Sequence, residues 1–343
     1  MWGGLGSNCS QYEAEEYHSN WVPSRCNECL ALPVNGVISV SQSWPMISSS
    51  KHVRRPTLAC EVAADRVLAG RAADKGRMVE TSSARELAAG TVVPDLMEAN
   101  LRDGAAVRKA IESTLGSIGA RTKDVIAILP DTSVRVVLLD FETLPSKPDE
   151  AEAVVRFRLK KSLPFDPAEA RISYHAQASG KGVRAVAAVV LNTVLEEYES
   201  AFRDAGYNPG MVMPSMMAAL GAVDAERPTL VVKVDARTIS IAILDQEQLL
   251  LFRTLENVRG VTITGDQLAE EVYPSVVFFQ DTYNLNIERV YVAGLPESEG
   301  AAPALKSQSG AVVEELITAS QIGSTTGNVP RWRMAGVVGA LIS

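Results

Sequence analysis

Histidine is scarce in this 343-residue chain, which limits the catalytic sites that the sequence can build. The three histidines are His18, His52 and His175, and the first two lie in or beside an N-terminal segment unlike the rest of the chain. Ser-His-Asp and Cys-His sites need a histidine base beside the nucleophile. No such arrangement can be argued here, so catalysis of that type is not expected.

An excess of basic residues and long apolar runs are also lacking. Lys and Arg number 33 against 41 Asp and Glu, a net charge of −8, whereas a general nucleic-acid binder is normally basic. The longest apolar runs, such as Ala185–Leu191, are far shorter than the roughly 20 residues that cross a bilayer. The N-terminus has neither the basic nor the apolar region of a secretory signal. We expect a cytoplasmic protein, without direct membrane insertion, that reaches a membrane by binding something there.

Cysteine is limited to four residues. Cys26 and Cys29 have the spacing of a zinc hairpin, and Cys9 or His18 can supply further ligands. Only one CxxC pair is present, and no helical period fixes a fourth ligand, so a chance pair is preferred and no metal site is predicted. A metal-binding adaptor built from these four residues stays open as an alternative. Cys60 lies in an apolar strand and is expected to be a small buried hydrophobe.

Residues 1–56 differ from the rest of the chain. They hold three of the four Trp and show no sustained period of either helix or strand. We interpret them as a disordered or poorly ordered extension ending in the linker-like Ser48–Pro56. A start placed too far upstream gives the same appearance. The remainder is long enough for about two domains.

Two β-hairpins organise the remainder. Leu230–Arg253 has the pattern of a β-meander with strands Leu230–Val234, Thr238–Leu244 and Gln248–Arg253, rich in Val, Ile, Leu and Thr. Leu58–Ala73 repeats a shorter version, strand, small-residue turn, strand. Two such hairpins suggest a fold built from two related halves.

Helical and strand patterns alternate along the chain, which favours an α/β architecture. Helix Asp149–Ser162 is predicted to turn apolar residues inward and basic residues outward. The inward set is Ala153, Val154, Phe157, Leu159 and Leu163, and the outward set is Arg156, Arg158, Lys160 and Lys161. Thr193 with Glu196 can form a capping box for the helix Val194–Ala205. The predicted elements after the first hairpin are helix Asp103–Gly119, strands Asp124–Leu129 and Ser133–Leu139, helix Asp149–Ser162, strands Ala170–Gln177 and Val183–Leu191, helices Val194–Ala205 and Pro214–Ala222, the meander, helix Gly265–Tyr283, strand Arg289–Val292, a strand or helix Ala311–Leu316, and helix Trp332–Ile342.

The order of these elements from Thr57 onward resembles the actin-like FtsA/PilM family, and within it the PilM proteins of type IV pilus systems. The stretches that carry the resemblance are Asp124–Pro130, Arg135–Leu144, Glu152–Phe165 with its final Leu-Pro-Phe, Val186–Gly206, Leu230–Arg253, Arg289–Gly294 and Ala335–Leu341. The resemblance implies an α/β, actin-like (ribonuclease H-like) two-lobed fold, with an inserted α+β subdomain and a shortened second-lobe insertion. It implies a first lobe at 57–228, containing the inserted subdomain at about 124–210, and a second lobe at 229–343.

The chain departs from this family at the positions that hold nucleotide phosphates. Active members place an acid followed by Gly or small hydroxyl residues in each hairpin turn. The first hairpin has Glu61, Ala63 and Ala64 at these positions, and Ala63 blocks the close approach that Gly permits. The second hairpin has Lys233 in place of the acid and Asp235 where a phosphate passes.

The pair that receives the adenosine in the family is Ala293-Gly294 here, and the insertion at Asn257–Leu285 is too short for a helix covering the base. The resemblance therefore implies degenerate nucleotide positions, no cofactor and a pseudo-ATPase. The alternative is an active ATPase that binds Mg-ATP between its lobes, with Asp235 shifted in register to serve as the acid.

The resemblance also implies a partner, the N-terminal tail of a PilN-like inner-membrane protein, held between the first lobe and its inserted subdomain. Arg156, Phe157, Lys160 and Phe165 are the candidate contacts. A simpler interpretation competes, in which both Phe residues are core and the basic residues form a solvated face. The expected function is a non-catalytic cytoplasmic scaffold of pilus assembly, other assembly components being further possible partners. A type II secretion counterpart of the GspL kind stays open.

Overall fold

The computed structural model describes residues 55–73, 78–119, 122–180, 182–296, 298–323 and 329–343, which belong to one compact unit. Its strands and α-helices are, in chain order, β1 Leu58–Val62, β2 Arg66–Ala72, β3 Val79–Glu86, α1 Gly104–Ser117, β4 Asp124–Leu129, β5 Arg135–Phe141, α2 Pro148–Leu159, β6 Ala170–Ser179, β7 Gly182–Leu191, α3 Asn192–Asp204, β8 Asn208–Pro214, α4 Ser215–Ala219, β9 Thr229–Val234, β10 Thr238–Asp245, β11 Gln248–Glu256, α5 Gly265–Tyr283, β12 Arg289–Ala293, α6 Ser298–Ser309, β13 Val312–Glu315 and α7 Ala335–Ile342.

Two five-stranded sheets repeat one topology. The first has the order β3-β2-β1-β4-β8 and the second the order β11-β10-β9-β12-β13. In each sheet an antiparallel three-strand meander is followed by two strands that run parallel to its first strand. We call the parts built on these sheets the first lobe and the second lobe. The two related halves expected from the hairpins are present.

A smaller unit is inserted in the first lobe between β4 and β8. Its three-stranded sheet has the order β5-β7-β6 and is covered by α2. The unit is narrower than the predicted range of about 124–210, because β4 and β8 pair with each other in the first-lobe sheet. The C-terminal helix α7 was expected in the second lobe. It packs instead on β1 and β2, where Val337 lies against Gly70.

The first-lobe core contains one apolar face of α1 and one of α3. Val107, Ile111 and Leu115 of α1 are fully buried. Tyr198 and Phe202 of α3 are at most 1% exposed. Cys60 is buried among them, as expected.

The capping box predicted for α3 is wrong. The helix begins at Asn192, directly after β7, and no side chain caps it. Thr193 is therefore already within the first turn and cannot act as the cap.

The inward face predicted for α2 is wrong for Ala153, Val154 and Phe157 and right for Leu159, which is fully buried. Ala151, Val155 and Leu159 face the inserted sheet, whereas Val154 and Phe157 are exposed. Ala151, Val155 and Leu159 are spaced i, i+4, i+8, and Val154 and Phe157 are spaced i, i+3. Both spacings are helical, and the first set packs on the sheet. The outer apolar residues were therefore assigned to the wrong face, whereas the basic residues Arg158, Lys160 and Lys161 are exposed as expected.

Three elements were not predicted from the sequence. Strand β3 is rich in Ser and charged residues, β8 contains Pro209 and Gly210, and α6 contains Pro303. The composition of each segment is unfavourable for the element that it forms. Packing against neighbouring elements therefore determines the secondary structure there, in place of local propensity. The ambiguous stretch Ala311–Leu316 contains strand β13. Among the described residues, no helix is both long and apolar enough to cross a bilayer.

Candidate functional site

The turns of the two predicted hairpins lie at equivalent places in the two lobes. The amide of Ala63 donates to the carbonyl of Arg66 at 2.8 Å, and the amide of Asp235 donates to the carbonyl of Thr238 at 2.8 Å. Glu61 and Lys233 each lie two residues before the turn. The two degenerate acid positions are thus structurally equivalent, and both face the boundary between the lobes.

Lys233 contacts carboxylates from both lobes. Its side chain is 3% exposed, and its Nζ lies 3.6 Å from Oε1 of Glu61 in the first lobe. The same ammonium donates to Oδ2 of Asp235. Glu61 is also buried, and its Oε1 accepts a hydrogen bond from the Ser215 hydroxyl.

Arg66 makes a second ionic contact between the lobes. Its Nη2 lies 3.2 Å from Oδ1 of Asp235, and its Nη1 lies 2.7 Å from Oδ1 of Asp65 in its own hairpin. Asp235 is therefore held by two cations, Lys233 on its own strand and Arg66 from the opposite lobe. Asp235 is half-buried, and its two cationic partners compensate for the water that its carboxylate has lost.

Asp131, which follows β4, makes a third contact between the lobes. Its Oδ2 accepts from the Ser240 hydroxyl of β10 at 2.6 Å, and its Oδ1 accepts from the Met216 amide at 2.7 Å. We call Glu61, Arg66, Asp131, Lys233, Asp235 and Ser240 the inter-lobe cluster.

The pKa values of the cluster follow from burial and opposite charge. Burial raises the pKa of Asp131 to about 6, against the opposing effects of Lys233 and the Ser240 hydroxyl. Burial also acts to raise the pKa of Asp235, but Lys233 and Arg66 outweigh it, and that pKa lies below the ordinary value. Burial lowers the pKa of each cation, and the neighbouring carboxylates, Asp235 first, raise both above their ordinary values. Lys233 and Arg66 are thus fixed as cations.

The space between the turns is too small for nucleotide phosphates. The cavity lined by Glu61, Ala63, Ala64, Asp131 and Asp235 has a volume of about 20 Å³, whereas ligand pockets typically measure roughly 300–1,000 Å³. Three carboxylates of the cluster surround two cations, so an entering phosphate adds negative charge to a cluster already negative. The residues present do not fit a nucleoside triphosphate with its metal.

Ala293 is the last residue of β12, and Gly294 follows it. Ala293 pairs with Lys233 of β9. Gly294 has φ +85°, and a Cβ there would lie 1.7 Å from the Val234 carbonyl oxygen. The backbone of the neighbouring strand β9 therefore occupies the space beside Gly294, the glycine that was expected to receive an adenosine.

The four candidate partner contacts differ in their exposure and in their contacts. Phe165 is half-buried and packs against both the first-lobe core and the inserted core. Arg156 donates to the Pro167 carbonyl and pairs with Glu152 at 2.9 Å. Phe157 and Lys160 are exposed. The interpretation of both Phe residues as core is wrong for Phe157, which is 74% exposed.

The alternative zinc ligands Cys9, His18, Cys26 and Cys29 lie outside the described residues. Within the described ranges, no group of three or more His, Cys, Asp or Glu side chains is placed to hold a metal ion.

Three members of the cluster were missed from the sequence, namely Arg66, Asp131 and Ser240. Asp131 had a signal, because it follows the carboxyl end of a parallel strand, where sites of α/β sheets gather. Arg66 and Ser240 lie within strands of ordinary composition, and no local pattern marks them.

Comparison with known proteins supports the fold. No protein-family model matches the chain, and no curated protein matches it in sequence. A chain of the PilM-PilN type IV pilus biogenesis complex is similar in structure, with a TM-score of 0.70 and 18% identity, over 84% of this chain and 98% of that one.

Two further solved structures are similar. A Bacteroides thetaiotaomicron protein of unknown function with an actin-like ATPase fold has a TM-score of 0.50 and 11% identity, over 82% of this chain and 94% of that one. The cytoplasmic domain of EpsL, from the type II secretion system of Vibrio cholerae, has a TM-score of 0.48 and 12% identity, over 83% and 94%. The chain has the predicted actin-like, two-lobed α/β fold.

Proposed function

We propose that this chain is a non-catalytic scaffold of a type IV pilus or related secretion machine, acting at the cytoplasmic side of the inner membrane. The observation that carries the proposal is the inter-lobe cluster. Side chains of the protein itself occupy the place between the hairpin turns where phosphates bind in active members of the fold, and their ion pairs join the two lobes there. The fold shared with the PilM-PilN structure supports a role in assembly.

The partner in this proposal is the N-terminal tail of a PilN-like inner-membrane protein. The seam between the first lobe and the inserted unit is the proposed docking place. Phe165 packs against the cores on both sides of this seam. A half-buried aromatic between two cores offers an apolar anchor for a peptide side chain. Arg156, held by Glu152, is placed to meet polar groups of the peptide.

Calorimetric titration of the full chain with the N-terminal peptide of a co-encoded PilN-like protein, and separately with Mg-ATP, tests the proposal. We expect heat with the peptide and none with Mg-ATP. Phe165→Ala should weaken peptide binding at least roughly tenfold, as loss of a buried aromatic anchor does. Phe278→Ala, at an exposed position of α5, serves as the control and should bind like the parent. Tight Mg-ATP binding without peptide binding would overturn the proposal.

The second candidate function is a Mg-ATP-binding form with the lobes apart. It is favoured by one observation, that Asp131 and Asp235 both line the cavity between the turns. This form requires Lys233 and Arg66 to release their carboxylates. The Mg-ATP titration decides between the two functions.

A further inference from the structure

The outer side of α2 carries an exposed aromatic residue among cations. Phe157 is 74% exposed and Val154 is 36% exposed. Arg158, Lys160 and Lys161 are exposed around them. We call these five residues the α2 outer face. Val154 and Phe157 are neighbours at i, i+3 on the helix, and contiguous exposed apolar residues with a polar rim mark interaction sites.

The cations of this face are available to an external partner. Lys147 and Arg156, the other cations of the same segment, pair with Glu150 and Glu152. In the described part of the chain, Arg158, Lys160 and Lys161 take part in no ion pair within 4.0 Å. The chain as a whole carries −8, so this small basic face stands out against an acidic protein.

The helix holds this face rigidly toward solvent. Its opposite side is fixed to the inserted sheet by Val155 and Leu159, both fully buried. Phe157 lies on the outer side of the helix, and within the described ranges its side chain is 74% exposed. A peptide partner normally lies in a groove or adds to a sheet edge, and a single projecting aromatic residue provides neither. An apolar residue surrounded by cations that have no ion pair among the described residues has the side chains that lie at the surface of an anionic bilayer.

We propose that the α2 outer face binds the surface of an anionic phospholipid bilayer, with Phe157 entering the headgroup region and the three cations facing lipid phosphates. Each such cation near an anionic membrane strengthens binding by roughly fivefold. The negative charge of the rest of the chain opposes binding in any other orientation, so the contact is weak, oriented and sensitive to salt. It needs no partner protein and is separate from the peptide site at Phe165.

Cosedimentation of the full chain with vesicles tests this proposal. We expect binding to phosphatidylglycerol–phosphatidylcholine vesicles at low salt, little binding to pure phosphatidylcholine vesicles, and loss of binding as salt rises. Arg158→Glu with Lys161→Glu should lower the apparent affinity at least roughly tenfold. Phe157→Ala should lower it several-fold without changing the salt dependence.

Matched variants control for total charge and for exposed aromatic area. Arg108→Glu with Lys109→Glu changes the same charge on the exposed side of α1, and Phe278→Ala removes an exposed aromatic from α5. Both should bind like the parent. Absence of binding to anionic vesicles, equal binding to neutral vesicles, or equal loss in the α1 control would overturn the proposal. Full competition by poly-glutamate with no effect of Phe157→Ala would also overturn it and assign the face to an acidic protein. No vesicle contains a partner peptide, so these outcomes are independent of the peptide titration.

Discussion

Glu61 and Lys233 occupy the same position in two related lobes and meet at the boundary between them, with Oε1 and Nζ 3.6 Å apart. Each is paired in the same register across its hairpin, Glu61 with Leu68 and Lys233 with Ser240. Where a symmetric fold would bring two like charges together, this chain has opposite ones. The boundary is therefore attractive without any bound ion or ligand.

Removal of the central cation should strongly destabilise the protein. Lys233→Met leaves the buried Glu61 without its cation and the half-buried Asp235 with Arg66 alone. Breaking a buried ion pair from one side typically costs about 3–5 kcal/mol. Chemical denaturation gives this free energy of unfolding. Lys306→Met, at an exposed site on α6, should stay within about 0.5 kcal/mol of the parent.

Adding Glu61→Gln to Lys233→Met should restore part of the lost stability. The amide keeps the side-chain shape and an acceptor for the Ser215 hydroxyl while removing one uncompensated charge. A double variant as unstable as the sum of the single changes would show that Glu61 and Lys233 do not interact.

The pH dependence of stability should separate the two aspartates of the cluster. Burial raises the pKa of Asp131 to about 6, so folding takes up a proton between about pH 4 and pH 6. Its contribution is therefore most favourable below about pH 4 and is lost as the pH rises through about 6. The stability of the parent minus that of Asp131→Asn should fall by up to about 3 kcal/mol over this range.

Asp235→Asn provides the control of opposite sign. Lys233 and Arg66 outweigh burial and hold the pKa of Asp235 below its ordinary value. The Asp235 carboxylate therefore adds to the free energy of unfolding above the pKa of the unfolded state, about 4. This stabilisation is lost as the pH falls through the lower pKa of the folded state. The parent-minus-variant difference should rise with pH for Asp235 over the acid range. Differences that do not vary with pH for either variant would contradict the assigned shifts.

The sequence predicted the elements of the lobes better than it predicted the site. Strand β4 and helix α5 form with the predicted bounds, because apolar periodicity and capping are local signals. The capping box of α5 at Thr264 forms, whereas the one predicted for α3 does not, because β7 runs directly into the helix. Local sequence patterns determine whether a helix or a strand forms. In α3, the direct connection to the preceding strand determines the residue at which the helix begins.

The site depends on contacts that no local pattern contains. Glu61, Lys233 and Asp235 were identified as departures from a motif, but their mutual compensation was not predicted. Arg66 and Asp235 are 169 residues apart in the chain, and only the packing of the lobes brings them together. The outward position of Phe157 had a similar cause, since two apolar stripes on α2 compete and tertiary packing selects one.

Gly294 should tolerate no side chain, for a packing reason rather than for its backbone angle alone. A Cβ at Gly294 would lie 1.7 Å from the Val234 carbonyl oxygen, whereas Gly90, with a similar φ of +82°, has nothing within 4 Å of its Cβ position. Gly90→Ala should cost only about 1–2 kcal/mol, the usual penalty of that conformation. Gly294→Ala should cost at least about 4 kcal/mol or prevent folding. Soluble yield and urea denaturation measure both, and equal costs would mean that β9 can move away from β12.

Gln177 should couple the inserted unit to the second lobe. Its amide Nε2 donates to the Leu249 carbonyl at 2.7 Å, and its Oε1 accepts from the Leu249 amide at 3.2 Å. The Gln177 side chain of β6 thus makes the two hydrogen bonds to the β11 backbone that a neighbouring strand would otherwise make. Arg184 of β7 adds a hydrogen bond to the Tyr283 hydroxyl at 2.8 Å. The inserted unit is thus tied to both lobes, and its position relative to them is fixed by polar contacts as well as by the chain.

Gln177→Leu should leave the Leu249 amide and carbonyl buried without partners, at a cost of about 1–3 kcal/mol for each unsatisfied group. We expect faster amide hydrogen exchange at Leu249 and along β6, with little change in α5. Gln280→Leu, which removes a 3.3 Å hydrogen bond to Asn286 at the surface of α5, is the control and should leave exchange at Leu249 unchanged. Unchanged exchange in Gln177→Leu would mean that Arg184 and apolar packing alone hold the inserted unit against the second lobe, because the Leu249 amide would then remain protected without its acceptor.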